Sequence, residues 1–472
     1  MRIVGREREK AELRRLLASS ESEFLVVYGR RRVGKTFLVR EYFGPGIVFH
    51  VTGLLDDALA TQLANFDDAL DGCGERLATP STSWMTAFNR LRDHLKRSPV
   101  PATGKRVVFL DEMPWMATPR SGFLTALEHF WNGWAVAQPD ILLVVCGSAT
   151  SWVVKKLLRD RGGLHNRVTS RLLLEPFTLR ECEEYVEALG LALRRKQILE
   201  AYMVFGGVPY YLRLLRPDRS LAQNIDALCF APAAPLLTEF EQLMHSLFTH
   251  AERHIAVIEA IGARLKGLTQ AEIVAASGVA SGGTLTQILH DLESCGFLRA
   301  YHEFTTPRHD ITYQLIDPFS LFHLRYLKDR TSADTTGWLT GVDDPARRVW
   351  SGYAFELACL LHVDQIKAAL GIAGVATSVA AWRSSGDPGA QIDLVIDRRD
   401  MTINLCEMKY AGGVLVLDKR LADALERKRA VFLGETGTDK DVHLTLVTTF
   451  GVTRSKHAGV ITSEVTMDDL FR

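Results

Sequence analysis

Along residues 1–180, short apolar runs alternate with segments whose apolar residues recur every three to four positions. Phe24–Tyr28, Arg106–Leu110, Ile141–Cys146 and Leu172–Leu174 read as buried strands, and Phe37–Phe43, Asp56–Leu70 and Ser83–Lys96 as helices. In the last of these, Trp84, Phe88 and Leu91 fall at helical spacing, as core residues do. The alternation predicts an α/β fold, a parallel sheet with helices on both faces and a ligand at the carboxyl ends of its strands. Residues 181–245 carry helical patterns only, broken near their end by Ala231-Pro232-Ala233-Ala234-Pro235. His254–Leu265, Thr269–Ser277 and Gly283–Cys295 then predict three helices, followed by strands Phe297–Ala300 and Ile311–Leu315, the order of a winged helix. A polar stretch, Asp329–Gly337, reads as a linker. Beyond it, Tyr353–Leu361 predicts an amphipathic helix, and Gln391–Ile396 and Thr402–Lys409 a hairpin turning at Arg398-Arg399-Asp400.

The first strand runs into Gly29-Arg30-Arg31-Arg32-Val33-Gly34-Lys35-Thr36, a complete G-x-x-x-x-G-K-[ST] loop in the strand–loop–helix context that phosphate binding requires. Its glycines let successive N–H groups point at phosphates, and the following helix adds its positive end. Lys35 can reach the terminal phosphates of ATP, and Thr36 can ligate Mg2+. Arg106–Leu110 leads into Asp111-Glu112, the pattern of a Walker B strand, in which Asp111 holds Mg2+ through water and Glu112 orients and deprotonates the attacking water. The strand Ile141–Gly147 ends at Ser148, placed to sense the γ-phosphate or the lytic water. Arg167 and Arg171 follow a Gly162-Gly163 turn; an arginine at a γ-phosphate stabilises transition-state charge, and one supplied in trans makes a homo-oligomer an expected assembly.

Composition narrows the setting. Lys+Arg and Asp+Glu both total 56 among 472 residues, so the chain as a whole has no electrostatic preference for polyanions and any nucleic-acid contact must use local patches. The 7 cysteines are scattered without a C-x-x-C pair and read as small core residues in a reducing compartment. No apolar run is long enough to span a bilayer and no signal-like segment opens the chain, which predicts a cytoplasmic protein without a membrane partner.

Val4-Gly5-Arg6-Glu7-Arg8-Glu9, the P-loop, Leu110-Asp111-Glu112-Met113-Pro114, Cys146-Gly147-Ser148 and Gly206-Gly207-Val208-Pro209-Tyr210-Tyr211-Leu212 together resemble the archaeal-type ATPase family, a branch of the AAA+ and STAND-related P-loop ATPases. The likeness spans residues 1–330, and G-G-x-P-x-Y-L is its most particular mark. It implies an ATP-binding core at 1–180, a helical lid at 181–245 and a winged helix at 246–328, with Gly5-Arg6-Glu7 near the adenine and Arg167 as the finger. Residues 281–294, the helix that would enter a groove, contain no Lys or Arg but do contain Asp291 and Glu293. Protein contact is therefore favoured over base reading, with Arg299 and Arg308 on the wing as the residues that keep DNA open.

Residues 345–472 hold a second constellation. Alternation places Glu407 and Lys409 on one face of their strand, Asp393 can meet them from its partner, and Glu356 can approach from the helix. This D…E-x-K pattern with a helical glutamate resembles the PD-(D/E)XK nuclease superfamily. The resemblance implies a restriction-endonuclease-like α/β domain in which Glu356, Asp393 and Glu407 hold Mg2+ against a DNA phosphate while Lys409 activates water. Arg427-Lys428-Arg429 offers either a contact to DNA backbone or a solvated helix face. Two readings of the whole follow: an ATPase whose nucleotide state controls a DNA-directed, Mg-dependent nuclease-like domain, or a regulatory ATPase switch whose C-terminal domain is inactive and binds DNA or a protein partner.

Overall fold

The computed structural model describes residues 2–55, 57–74, 79–148, 150–159, 164, 166–264, 266–304, 311–330, 337–341, 344–384, 386, 389–453 and 455–472. Gly162, Gly163, Arg308 and most of the polar stretch after Asp329 lie outside the described residues. The chain divides into two compact units, Met1–Glu175 and Pro176–Arg472.

In the first unit, β1 (Glu23–Tyr28), β2 (Ile47–Thr52), β3 (Arg106–Asp111), β4 (Ile141–Gly147) and β5 (Ser170–Leu173) form a parallel sheet in the order β2-β3-β4-β1-β5. Successive side chains of β1 serve opposite cores. Phe24 and Val26 pack with Phe66, Trp84, Phe88 and Phe123 from one layer of helices, while Leu25 and Val27 pack with Leu13, Leu16, Leu38 and Val39 from the other. A strand buried on both faces must be apolar throughout, which is why it reads as a continuous run and not as an alternation. The helix Trp84–Arg97 begins at Ser83, whose hydroxyl accepts the Thr86 N–H. The helix Glu7–Ala18 and strand β2 were not foreseen: charge masks the first, and His50 and Thr52 dilute the second.

The second unit opens with helices, as the pattern predicts, and Gly206-Gly207-Val208-Pro209 ties them together. Gly206 caps the helix Arg195–Phe205 in a left-handed conformation. Gly207 has φ +67°, and a Cβ there would meet the Phe177 carbonyl oxygen at 2.2 Å, so the close backbone approach admits only glycine. Tyr211 of the same motif buries its ring beside Phe319 and donates its hydroxyl to Glu239 at 2.8 Å. The element that most marks the resemblance therefore packs the fold.

Helices Ala251–Gly262, Gln270–Ser277 and Gly283–Ser294, with β6 (Leu268–Thr269), β7 (Leu298–His302) and β8 (Ile311–Leu315), make a winged-helix arrangement. Thr269 caps the second helix in a capping box with Glu272. The third helix exposes Thr284, Thr286, Gln287 and Glu293, none of them basic. Arg299 does not project for DNA: it is turned inward, bonded to Gln314 at 2.9 Å and stacked over Tyr301.

The C-terminal sheet is mixed. β9 (Thr377–Arg383), β10 (Gln391–Arg398), β11 (Thr402–Lys409), β12 (Asp441–Thr448) and β13 (Ser463–Thr466) run in the order β13-β12-β11-β10-β9, antiparallel from β9 to β11 and parallel from β11 to β13. The hairpin β10–β11 is the part foreseen from sequence. The helix Lys419–Thr436 crosses from β11 to β12 and lays Leu425 and Phe432 on one face with Trp382, Val395 and Leu405. The helix Pro345–Leu361 packs against β11.

His362 closes this helix and is buried. Its Nε2 accepts the Leu179 N–H at 2.9 Å, which fixes the ring proton on Nδ1, where it donates to the Ala358 carbonyl at 2.7 Å. Burial pushes its pKa down to about 4, because the charged ring would lose its hydration, and the bond to the Ala358 carbonyl only partly opposes that shift. The unfolded chain protonates near 6.5. The His362 contribution is thus complete above that pH and is lost as pH falls toward 4, by about 3 kcal/mol. In urea titrations, the gap between wild type and His362→Gln is expected to narrow steadily from pH 7 to 4.5.

Candidate functional sites

The first site lies where β1, β3 and β4 end together. Gly29 leaves β1 with φ +139°, and a Cβ there would meet the Leu174 carbonyl oxygen at 2.3 Å, so the loop turns under β5 only with glycine in place. The Leu174 N–H bonds back to the Tyr28 carbonyl at 2.7 Å. Arg32 takes φ 74°, unusual for a side-chain-bearing residue and a mark of a constrained loop. Val33 is buried, and the Arg6 guanidinium, also buried, reaches its carbonyl at 3.4 Å. The Gly5-Arg6-Glu7 element thus braces the back of the P-loop. Lys35 begins the next helix and is 5% exposed; its ammonium donates to the carbonyls of Gly29 at 2.8 Å and Arg30 at 2.9 Å and to the Ser148 hydroxyl at 3.0 Å.

The Thr36 hydroxyl donates to Asp111 Oδ2 at 2.8 Å. Burial raises the Asp111 pKa, and the bonds from Thr36 and the Glu112 N–H counter that rise. Glu112 leaves β3 in a left-handed conformation, φ 44° and ψ 46°, which swings its carboxylate toward the end of β4. There Oε1 accepts the Ser148 hydroxyl at 2.5 Å and Oε2 the Ser148 N–H at 3.0 Å. Lys35, Thr36, Asp111, Glu112 and Ser148 therefore form one connected network. A buried carboxylate beside a hydroxyl is a donor set suited to Mg2+, and an ammonium at a helix start suits phosphate.

The two arginines are placed elsewhere. Arg167 is exposed and lines a cleft with Ser20, Trp131, Val136 and Pro139, at the amino-terminal ends of β1 and β4 and so at the far end of the sheet from the P-loop. The Arg167 N–H bonds to the Leu164 carbonyl, and Thr169, bonded to Phe24, leads into β5 from that end. Arg171 sits within β5 opposite Val26, its side chain exposed. Among the described residues neither contacts the P-loop of its own chain.

The second site is built on β10, β11 and two helices. Glu407, 5% exposed, accepts Lys409 on Oε1 at 2.7 Å and Lys428 on Oε2 at 2.6 Å. Asp393 lies one step beyond the last paired residues, Leu394 and Cys406, and accepts Lys266 at 3.5 Å. Glu356 approaches from Pro345–Leu361. Burial pushes its pKa up to about 7, reinforced by the negative charge of Asp393. Asp393 is raised by burial and by Glu407, whereas in Glu407 the opposing burial is outweighed by Lys428 and Lys409, which hold it below the usual carboxylate range. The structure brings Glu356, Asp393, Glu407 and Lys409 into one electrostatic cluster.

Among the described residues no trio of carboxylate, histidine or cysteine side chains is arranged round a single metal position. The donor set nevertheless suits a hard divalent cation: oxygen ligands whose protonation burial and mutual repulsion promote, which a cation would reverse. Lys428, from the basic run expected to face solvent or DNA, is the residue sequence reasoning misplaced; its signal is that helical spacing turns one member of the run inward. Lys266 gave no signal, since it comes from the winged helix.

No family model matches the chain. An uncharacterized protein of Methanocaldococcus jannaschii, MJECL04, is 24% identical over 215 residues, 45% of this chain and 44% of that one. The chain therefore matches less than half the length of this curated relative. Among solved structures, the Walker-type ATPase PABY2304 of Pyrococcus abyssi is similar with a TM-score of 0.48 and 18% identity, over 68% of this chain and 96% of that one. The ORC2 protein of Aeropyrum pernix, solved as ADPNP and ADP complexes, is similar with a TM-score of 0.41 and 15% identity, over 68% and 93%. With both TM-scores below 0.5, the functional reading rests on the chain's own geometry. No helix among the described residues is long and apolar enough to cross a membrane.

Glu356 supplies a test of the second site's electrostatics. A carboxyl raised from 4.5 to about 7 stabilises the fold below 4.5 and loses that contribution as pH rises through 7. Glu356→Gln is thus expected to unfold at higher urea than wild type at pH 8, with the difference closing as pH falls to 4.5.

Proposed function

We propose that the chain is a P-loop ATPase whose nucleotide state controls a DNA-directed, Mg-dependent nuclease-like C-terminal domain. The observation that carries the ATPase reading is the single network of Lys35, Thr36, Asp111, Glu112 and Ser148 at the carboxyl ends of β1, β3 and β4. Phosphates of ATP would lie against the N–H groups of Gly29–Thr36, with Lys35 exchanging its carbonyl partners for phosphate oxygens. Thr36 and Asp111 would hold Mg2+, which supplies charge neutralisation at the phosphates when bound. Glu112 would leave Ser148 to orient and deprotonate water, and Ser148 would report the γ-phosphate through its bonds to both Lys35 and Glu112. Arg167 would act only between copies, so hydrolysis by that arginine requires a homo-oligomer.

At the second site Glu356, Asp393 and Glu407 would hold Mg2+, which supplies electrophilic assistance at a phosphodiester when bound. Lys409, beside Glu407 and partly exposed, would position water and offset developing charge on the phosphate. The alternative, an inactive C-terminal domain that binds DNA or a protein partner, is favoured by the pairing of Asp393 and Glu407 with lysines in the folded chain.

Lys35→Ala is expected to abolish ATP binding in equilibrium dialysis, while Glu112→Gln keeps binding and lowers turnover by about two orders of magnitude or more, as loss of a general base does. Retained hydrolysis in Glu112→Gln would remove Glu112 from its assigned role. The purified 472-residue chain with plasmid DNA and Mg2+ or Mn2+, with and without ATP, is expected to nick, and Lys409→Ala to lose nicking. Absence of nicking by wild type under every condition selects the regulatory switch.

A further inference from the structure

We infer that the winged helix is a latch over the carboxylate site, with Lys266 occupying the position of a cation at Asp393 and Phe304 pinning the wing to the C-terminal sheet. The inference rests on the reading of Glu356, Asp393 and Glu407 as a cation and phosphodiester site. Five contacts within the second unit carry it. Lys266, between the first winged-helix helix and β6, reaches Asp393 at 3.5 Å. Its own backbone carbonyl accepts the Tyr301 hydroxyl at 2.8 Å, so the wing fixes the segment from which the lysine projects. At the end of β7, Glu303 forms a β-bridge with Ala381, and the Phe304 N–H bonds to the Ala381 carbonyl at 2.8 Å. Phe304 packs on Phe432, ring centroids 5.3 Å apart, and joins the core beneath β9 to β12.

The closure is also steric. A small cavity beside Glu356 is walled by Gly262, Gln314 and Leu315 of the winged helix on one side and by Tyr353 and Leu357 on the other. A scissile phosphate must touch Asp393 and Glu407 together, yet their side chains are 12% and 7% exposed. Lys266 and Lys428 do electrostatically what a divalent cation would do, and they compete with it. Opening the wing removes Lys266 and exposes Asp393 and Glu356 in one movement. Lys409 and Lys428 belong to the C-terminal sheet and its crossing helix, and they stay with Glu407. The latch accounts for a winged helix whose third helix shows DNA no positive charge: its charge and its wing are used inside the chain.

The test uses the full chain and Mn2+ alone, followed by electron paramagnetic resonance. Lys266→Ala and Lys266→Met, the second keeping the packing stem, are each expected to tighten Mn2+ binding by about tenfold or more, since a charge within 4 Å of the ligand is removed. A Glu303→Cys, Ala381→Cys pair in a Cys73→Ser background, oxidised across the β-bridge, is expected to weaken binding, and reductant to restore it. Equal affinity in wild type and both Lys266 variants, or no binding by any of them, overturns the latch. Tightened binding that persists when Asp393→Asn is added to Lys266→Ala overturns instead the assignment of Asp393 as a ligand, so the two failures are separate.

Discussion

β4 lies between β1 and β3, and the nucleotide-type site depends on that placement. It puts Ser148 within reach of the ammonium of Lys35 from β1's loop and of the carboxylate of Glu112 from β3's end. Were β3 directly beside β1, the lysine and the glutamate would have no shared hydroxyl. The left-handed backbone at Glu112 is the local cost of aiming the side chain sideways along the strand ends. A parallel sheet apolar on both faces is what holds these three strand ends level, so the core and the site are one construction.

The second unit follows a different logic. Its carboxylates sit in a mixed sheet whose burial opposes their charge, and lysines from three separate elements answer them: Lys409 from β11, Lys428 from the crossing helix and Lys266 from the winged helix. A buried ion pair with one partner removed leaves an uncompensated charge, so each lysine is tied to the fold as well as to the chemistry. Glu356, with no lysine bonded to it among the described residues, is raised by burial and by the charge of Asp393, which Lys266 and Lys409 only partly offset. His362, at the end of the same helix, carries the opposite shift. One helix therefore makes the unit sensitive to both ends of the neutral pH range.

Much of this was legible in the residues. Phe24–Tyr28 and Ile141–Gly147 were strands because continuous apolar runs suit double burial, and Ser83 and Thr269 marked helix starts because their hydroxyls accept orphan N–H groups. β2 was hidden because an edge strand with His50 and Thr52 loses its apolar run, and β9, β12 and β13 because they lie outside the hairpin whose alternation stood out. Arg299, which kept a DNA contact open, and Lys428, from a run read as either a DNA contact or a solvated face, both have partners inside the chain, Gln314 and Glu407, that only the fold supplies.

The sequence by itself determined what depends on neighbours along the chain: the P-loop turn, the pair Asp111-Glu112, the caps, and the shared face of Glu407 and Lys409, since period and backbone geometry fix these locally. Only the tertiary structure decided what depends on strand order and crossing elements. It set Arg167 at the far end of the sheet from its own P-loop, joined Ser148 to Glu112, and brought Lys266 to Asp393 across 127 positions of chain. Such pairings are chosen by how layers pack, and no spacing along the chain encodes them.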